Sequence, residues 1–340
     1  MKPRRNPSTF FAARPHKRPP NLAAFTHRPQ GGGFVSPRNS QEVGQRQLLT
    51  DVAGIAIAPA VASELIRHGF SSALQGGPND DAWQESVENY GSAYMTEGAA
   101  TIQQRLARDM VTLQSQLERP RRWEYAAKLA ALYGKTFPGS DGTSAADWYK
   151  LAATAADRSE DIGSRVWVRG RAAIALGYEG AALGLADQFA SDALALSDKP
   201  TLGRLNALMG RAHIMAIRGD RTSAYRLLHD GTRLFERVAS DATPVSDYSV
   251  PEWRMNVFIS LLAARLGDIR LYETARRDAL SILPPSLPRF RTHLELHQAL
   301  VMARSGDKAG GIKAAKAALN ALPPEKHSLT LRLLRDEVAA

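Results

Sequence analysis

Residues 212–231 read AHIMAIRGDRTSAYRLLHDG, and residues 299–323 read ALVMARSGDKAGGIKAAKAALNALP. In each, a small residue stands seven positions before a Gly-Asp pair, and small residues follow the glycine by five and by twelve. Glycine accepts the left-handed backbone that ends a helix, and aspartate caps the start of the next. Small side chains on either side of such a turn let two antiparallel helices approach closely. The two stretches therefore read as one helical hairpin written twice.

Working outward, similar turns are expected at Asp141-Gly142, Gly177 and Gly267-Asp268, so that successive turns are 36, 42, 48 and 39 residues apart. Seven positions before them stand Gly134, Gly170 and Ser260; five after, Ala146, Ala182 and Tyr272; twelve after, Ala153, Phe189 and Ala279. Pro284 and Pro323 lie seventeen after the last two glycines, where they stop the second helix. The longest interval contains a Ser-, Asp- and Pro-rich insertion, Ser240 to Pro251. An earlier helix pair is expected over Ala82 to Gly98 and Ala99 to Leu117. Trp83, Val87, Tyr90 and Tyr94 form one apolar stripe, and Ile102, Leu106, Met110, Leu113 and Leu117 form the other. Pro120 is expected to end that pair.

This spacing of small residues, turn and proline over residues 123–323 resembles the tetratricopeptide repeat. Tyr272 and Phe189 depart from it, standing where the repeat has small residues. The resemblance implies an all-α chain, a right-handed solenoid of tetratricopeptide-like helical hairpins, with Ala82 to Leu117 as a further hairpin and a capping helix over His327 to Val338. A second likeness covers Trp83-x3-Val87-x2-Tyr90-Gly91-x2-Tyr94, the following helix with Leu106, Asp109 and Leu113, and the Ala-rich repeats beyond. It resembles the C-terminal sensor region of actinobacterial Xre-type helix-turn-helix transcriptional regulators. No helix-turn-helix is recognisable in residues 1–75.

The first 45 residues hold seven prolines and a Gly31-Gly32-Gly33 run without apolar periodicity, and are expected to be disordered. Residues 46–80 are expected to hold short helices and a linker, and residues 81–340 the repeat domain. The chain carries +10, of which residues 1–50 supply +8 from nine basic residues against Glu42. The basic character is thus a tail property, suited to non-specific contact with nucleic acid. The chain has no cysteine, which excludes disulfides, thiolate metal sites and a cysteine nucleophile. No apolar run is long enough to cross a membrane, and Arg4-Arg5 lacks the pattern of a twin-arginine export signal. A cytoplasmic protein is expected.

No catalytic, cofactor-binding or metal constellation emerges. Gly134-Lys135-Thr136 lacks the glycine five residues earlier that a phosphate loop requires, where Leu129 stands. His293 and His297 are spaced to chelate a metal from one helix, but no third ligand accompanies them. In stacked repeats the first helix of each hairpin lines the concave face. Mapping the repeat onto the chain places Lys128, Lys135, Trp167, Arg171, Asn206, Met209, His213, Arg254, Arg265, His293 and Arg304 there. Such a basic groove suits an acidic or carboxylate-ended peptide or protein segment. The expected function is protein or peptide binding by a regulatory, sensor-like protein, with a homodimer as one possible state. The alternative is a DNA-binding regulator with a cryptic reader near the N-terminus.

Overall fold

Three turns share one hydrogen-bond pattern. Gly219, Gly267 and Gly306 adopt left-handed backbone, and the amide after each donates to the carbonyl five residues back: Asp220 to Met215, Asp268 to Ala263 and Asp307 to Met302. These bonds close the orphan carbonyls of the preceding helix. Asp268 and Asp307 then accept from Leu271 N and Gly310 N, capping the helix that follows. The fourth such turn is at Gly180 rather than Gly177, with Ala181 donating to Leu176. Gly177 belongs to the helix itself, for a reason given below. Ala182 accordingly falls outside the second helix, in left-handed backbone.

The computed structural model describes residues 59–97, 99–137, 143–238 and 245–340. They are all-helical, without a strand among them. In chain order the helices are α1 (Pro59–Leu74), α2 (Asp80–Thr96), α3 (Ala99–Gln114), α4 (Pro120–Gly134), α5 (Thr143–Arg158), α6 (Ile162–Glu179), α7 (Leu183–Leu196), α8 (Leu202–Ile217), α9 (Arg221–Val238), α10 (Glu252–Leu266), α11 (Ile269–Ile282), α12 (Pro288–Arg304), α13 (Lys308–Asn320) and α14 (Leu329–Ala339), with a 3₁₀ turn at Pro324–Lys326. No described helix is long and apolar enough to cross a membrane. The expected basic tail, and the turn at Asp141-Gly142, lie outside the described residues. Pro120 opens α4 instead of closing α3. At a first helical position its missing amide costs nothing and its fixed φ is already helical.

From α4 onward each even-numbered helix packs with the next as a hairpin: α4 on α5, α6 on α7, α8 on α9, α10 on α11 and α12 on α13. The first helices also pack in sequence, α4 on α6, α6 on α8, α8 on α10 and α10 on α12. The closest of these pairings is α6 with α8. It is made by four glycines spaced seven apart on each helix. A Cβ at Gly170 would lie 1.9 Å from Gly203 O, and one at Gly177 2.6 Å from Gly210 O. From the other side, a Cβ at Gly203 would lie 2.6 Å from Trp167 Cα, and one at Gly210 2.6 Å from Ala173 C. Backbone faces backbone, so Gly177 is needed as a contact and the chain turns three residues later. Within hairpins the approach is similar but local: a Cβ at Gly311 would lie 2.6 Å from Ala299 O.

Segments distant in sequence meet over the first helices. Asp247 N donates to Gly91 O of α2 at 2.9 Å, and Arg289 Nη2 of α12 donates to Tyr94 O at 2.9 Å across 195 positions. Helix α14 packs on α12 and α13 and also reaches α6. The stripes of α2 and α3 are buried at Trp83, Val87, Tyr90, Tyr94, Ile102, Leu106 and Leu113, whereas Met110 is half-buried and Leu117 lies past the end of α3, half-buried. Tyr90 donates to Asp109 Oδ2 at 2.8 Å, which ties the two helices together.

A methyl group at the α6–α8 seam should force the helices apart. Gly210→Ala is expected to lower stability by about 1–3 kcal/mol despite its better helix propensity. Gly184→Ala, on α7 with open space around it, should be neutral or stabilising by about 0.5–1 kcal/mol. Urea denaturation of the two variants checks the pair, and equal behaviour would contradict the close approach.

Candidate binding site

The segment 245–251, between α9 and α10, carries the most highly connected carboxylate among the described residues. Asp247 is 3% exposed. Arg171 on α6 donates to it twice, Nε to Oδ2 at 3.2 Å and Nη2 to Oδ1 at 2.9 Å. Arg254 on α10 donates Nη2 to Oδ1 at 2.9 Å. Lys135, just past the end of α4, donates Nζ to the same oxygen. Three first helices of three hairpins thus converge on one carboxylate from an inserted loop. Arg254 binds the loop further, its Nη1 donating to the carbonyls of Ser246, Asp247 and Ser249.

The charges respond accordingly. Burial by itself would raise the Asp247 carboxyl, but Arg171, Lys135 and Arg254 hold it well below the ordinary carboxylate range. One carboxylate does not balance three cations. Burial, reinforced by the neighbouring Arg171, pushes Lys135 well below an ordinary lysine. Burial likewise lowers Arg254 to about 10.

A second junction lies at the far end of α10. Arg265 is held by Glu337 of α14, with Nε and Nη2 donating to the carboxylate at 2.7–3.2 Å. Its remaining donors reach Gly177 O at 3.2 Å and Tyr178 O at 2.8 Å, satisfying carbonyls at the C-terminal end of α6. Nη1 also lies 3.1 Å from His213 Nδ1. Between the junctions runs a buried polar chain. Tyr178 Oη lies 3.3 Å from His293 Nδ1 and 2.9 Å from His297 Nε2, and His297 Nδ1 lies 3.1 Å from Ser260 Oγ. No group of three potential ligands for a metal occurs among the described residues.

Of the residues expected in an open groove, Arg171, Asn206, Met209, His213, Arg254, Arg265 and His293 are buried. Lys135 and Trp167 are half-buried, Lys135 on Asp247 and over the Tyr94 ring, and Trp167 against the Tyr248 ring at 5.2 Å. Met209 lies beneath Gly231. Lys128 is half-buried on α4, and Arg304 is the exposed member, donating to Arg265 O beside Glu337. Of these residues the structure brings together Lys135, Arg171 and Arg254 on Asp247, and His213 and Arg265 at the second junction. The first cluster is covered by α2 and the 245–251 segment and the second by α14, so these two groups do not line an open channel. Asp247, Glu337, Tyr94, Tyr178, Glu179 and Arg289 complete the site and were not anticipated. Asp247 sits in what read as a loop insertion, and Glu337 in what read as a cap. The only sequence signal for them is the run of cations on the first helices, which requires counter-charge from somewhere.

A partly open cavity of about 60 Å³ remains where α4, α6, α10 and α12 meet, with Ser328 and Thr330 from the start of α14 at its edge.

Removing the shared carboxylate should leave three buried cations unbalanced. Asp247→Asn is expected to cost about 3–5 kcal/mol or more, whereas Lys135→Met, which leaves both arginine pairs intact, should change stability by less than about 1.5 kcal/mol. Chemical denaturation separates the two, and similar losses would show that the lysine is indispensable.

The histidines set the acid limit. Burial keeps His213, His293 and His297 neutral, with His293 lowered to about 3. The unfolded chain therefore binds protons that the folded chain refuses. Stability from these groups is complete above about pH 6.5 and is lost as pH falls below it. Glu179, whose carboxyl burial raises, opposes this in part. The pH dependence of urea unfolding at pH 5 should correspond to uptake of about two to three protons. An uptake below one would mean that the histidines are charged in the folded protein.

Comparison with known proteins returns no matching family model, no matching curated protein and no matching solved structure.

Proposed function

We propose that this chain is a tetratricopeptide-like helical-repeat protein, a right-handed solenoid of hairpins that acts by binding a protein or peptide segment rather than by catalysis. The observation that carries this reading is the recurrence of one turn. Gly219, Gly267 and Gly306, 48 and 39 residues apart, carry the same capping bond and lead from one first helix, through its partner, to the next first helix. A protein built by stacking one hairpin presents extended faces to partners instead of a deep cleft. The basic residues of the first helices favour an acidic partner. The site geometry narrows where that partner docks. Most of the cations are already engaged inside, so recognition uses the half-buried Lys128 and the exposed Arg304. A cytoplasmic, regulator-like sensor is the context that suits a chain of this kind. The DNA-binding alternative rests on residues 40–75, of which only α1 is described, and no observation there favours it.

Capture from native lysate with the full chain tests this reading. Charge reversal at Lys128 and Arg304 together should reduce recovery of a captured protein at least tenfold, with helicity unchanged by circular dichroism. Loss of the reading would follow if no protein is captured, if capture ignores the reversal, or if nucleic acid alone is recovered.

A further inference from the structure

Four cations border the small cavity at the junction of α4, α6, α10 and α12: Lys135, Arg171, Arg254 and Arg289. The three arginines are each about 95% buried. Asp247 balances one charge among Lys135, Arg171 and Arg254. Arg289 makes no ion pair among the described residues. It donates Nη2 to Tyr94 O, and its guanidinium lies against the Tyr94 and Phe290 rings at 4.6 and 5.5 Å from their centroids. Arg254 Nε is buried without a hydrogen-bond partner. The one further acid at the cavity is Glu179, which accepts from Thr330 Oγ1 at 2.6 Å. Even with Glu179 ionised and Lys135 neutral, Arg171, Arg254 and Arg289 outnumber Asp247 and Glu179 by one positive charge.

Burying unmatched charge of one sign is costly, and proteins relieve it by neutralising a group or by holding a counter-ion. Planar guanidinium forks and unused N–H donors suit the oxygens of a compact oxyanion. One water requires roughly 10–15 Å³ of the space that a water-sized sphere's centre can occupy. The cavity's approximately 60 Å³, on the same measure, is the size of a group of about four or five atoms. A peptide segment is far larger. Together these observations select a tetrahedral dianion over a protein ligand.

We propose that this cavity binds a phosphate-class dianion, held by Arg289 and Arg254 with Lys135 and Arg171 as the surrounding charge, and that Glu179 weakens its binding. The site goes beyond the capture of a protein on the outer rim and stands whether or not that capture occurs. A bound dianion would join α12, which carries Arg289, to α4, α6 and α10, and so would stiffen the contact between early and late hairpins. The dianion has two sources, free phosphate and the phosphoryl group of a small ester whose remainder projects through the opening.

The test is thermal unfolding and titration calorimetry of the full chain with inorganic phosphate and with glycerol 3-phosphate, against acetate and against sodium chloride at matched ionic strength. Either phosphate compound should raise the midpoint progressively with concentration, while acetate and chloride do not. Tighter binding of the ester assigns the site to a phosphorylated metabolite, and tighter binding of phosphate assigns it to the free ion. Arg289→Gln should weaken the affinity at least tenfold, Glu179→Gln should strengthen it at least threefold, and the exposed Arg277→Gln should leave it unchanged. If Arg289→Gln does not fold, the Glu179→Gln comparison decides alone. The proposal is overturned if neither the unaltered chain nor Glu179→Gln responds to phosphate, if acetate acts equally well, or if binding is indifferent to the change at Glu179.

Discussion

A single carboxylate shared by three cations holds the interior of this protein together. Arg171 and Arg254 come from α6 and α10, Lys135 from just past the end of α4, and Asp247 from the segment between α9 and α10. Without that carboxylate three neighbouring buried cations would face one another with no counter-charge, a strongly destabilising arrangement. The loop depends equally on its partners. Its carbonyls are bound by Arg254 and its Asp247 amide by Gly91. The charge cluster, the loop and the seating of α2 on the first helices are therefore one cooperative unit.

Backbone contact supplies the complementary constraint. At the α6–α8 seam the glycines bring two helices close enough for Cα and carbonyl atoms to touch. That approach sets where Arg171 on α6 stands relative to the helices that follow. Arg265 then binds the carbonyls at the end of α6 while held by Glu337. The last helix is in this way fastened to the middle of the chain by a charge pair with one member fully buried. The polar chain from Tyr178 through His297 to Ser260 fills the space between the two junctions.

A face lined with cations and covered by the chain's own segments differs from an open peptide channel in what it can recognise. Large ligands meet only its rim. Small ones meet an interior in which donors and charge are already positioned, so ordering costs little on binding. The outer surface and the inner cavity thus differ in both size and charge.

Much of the fold was legible in the sequence because its causes are local. A left-handed glycine at 219, 267 or 306, an aspartate that caps the next helix, and apolar residues at helical spacing act within a few residues of themselves. They specify an all-helical chain and the hairpin turns from sequence alone. The same locality explains the misplacement at Gly177, whose role is set by Gly210 on another helix, and at Pro120, which serves equally well to end one helix or begin another. Lys135 and Arg171 were also legible, since both stand six positions before their expected turns, and Arg254 and Arg265 were placed on the next first helix but one, whereas Arg289 was not. The partners of these cations were not legible. Asp247 and Glu337 reach Arg171 and Arg265 across 76 and 72 positions, and Arg289 reaches Tyr94 across 195. No spacing rule connects residues so far apart. Whether a row of cations faces a ligand or the chain's own carboxylates depends on how the helices stack and which loop folds over them, and that was decided only in the tertiary structure, where burial brings Lys135, Arg171 and Arg254 onto Asp247 and Arg265 onto Glu337 but leaves Arg289 against a carbonyl and two rings.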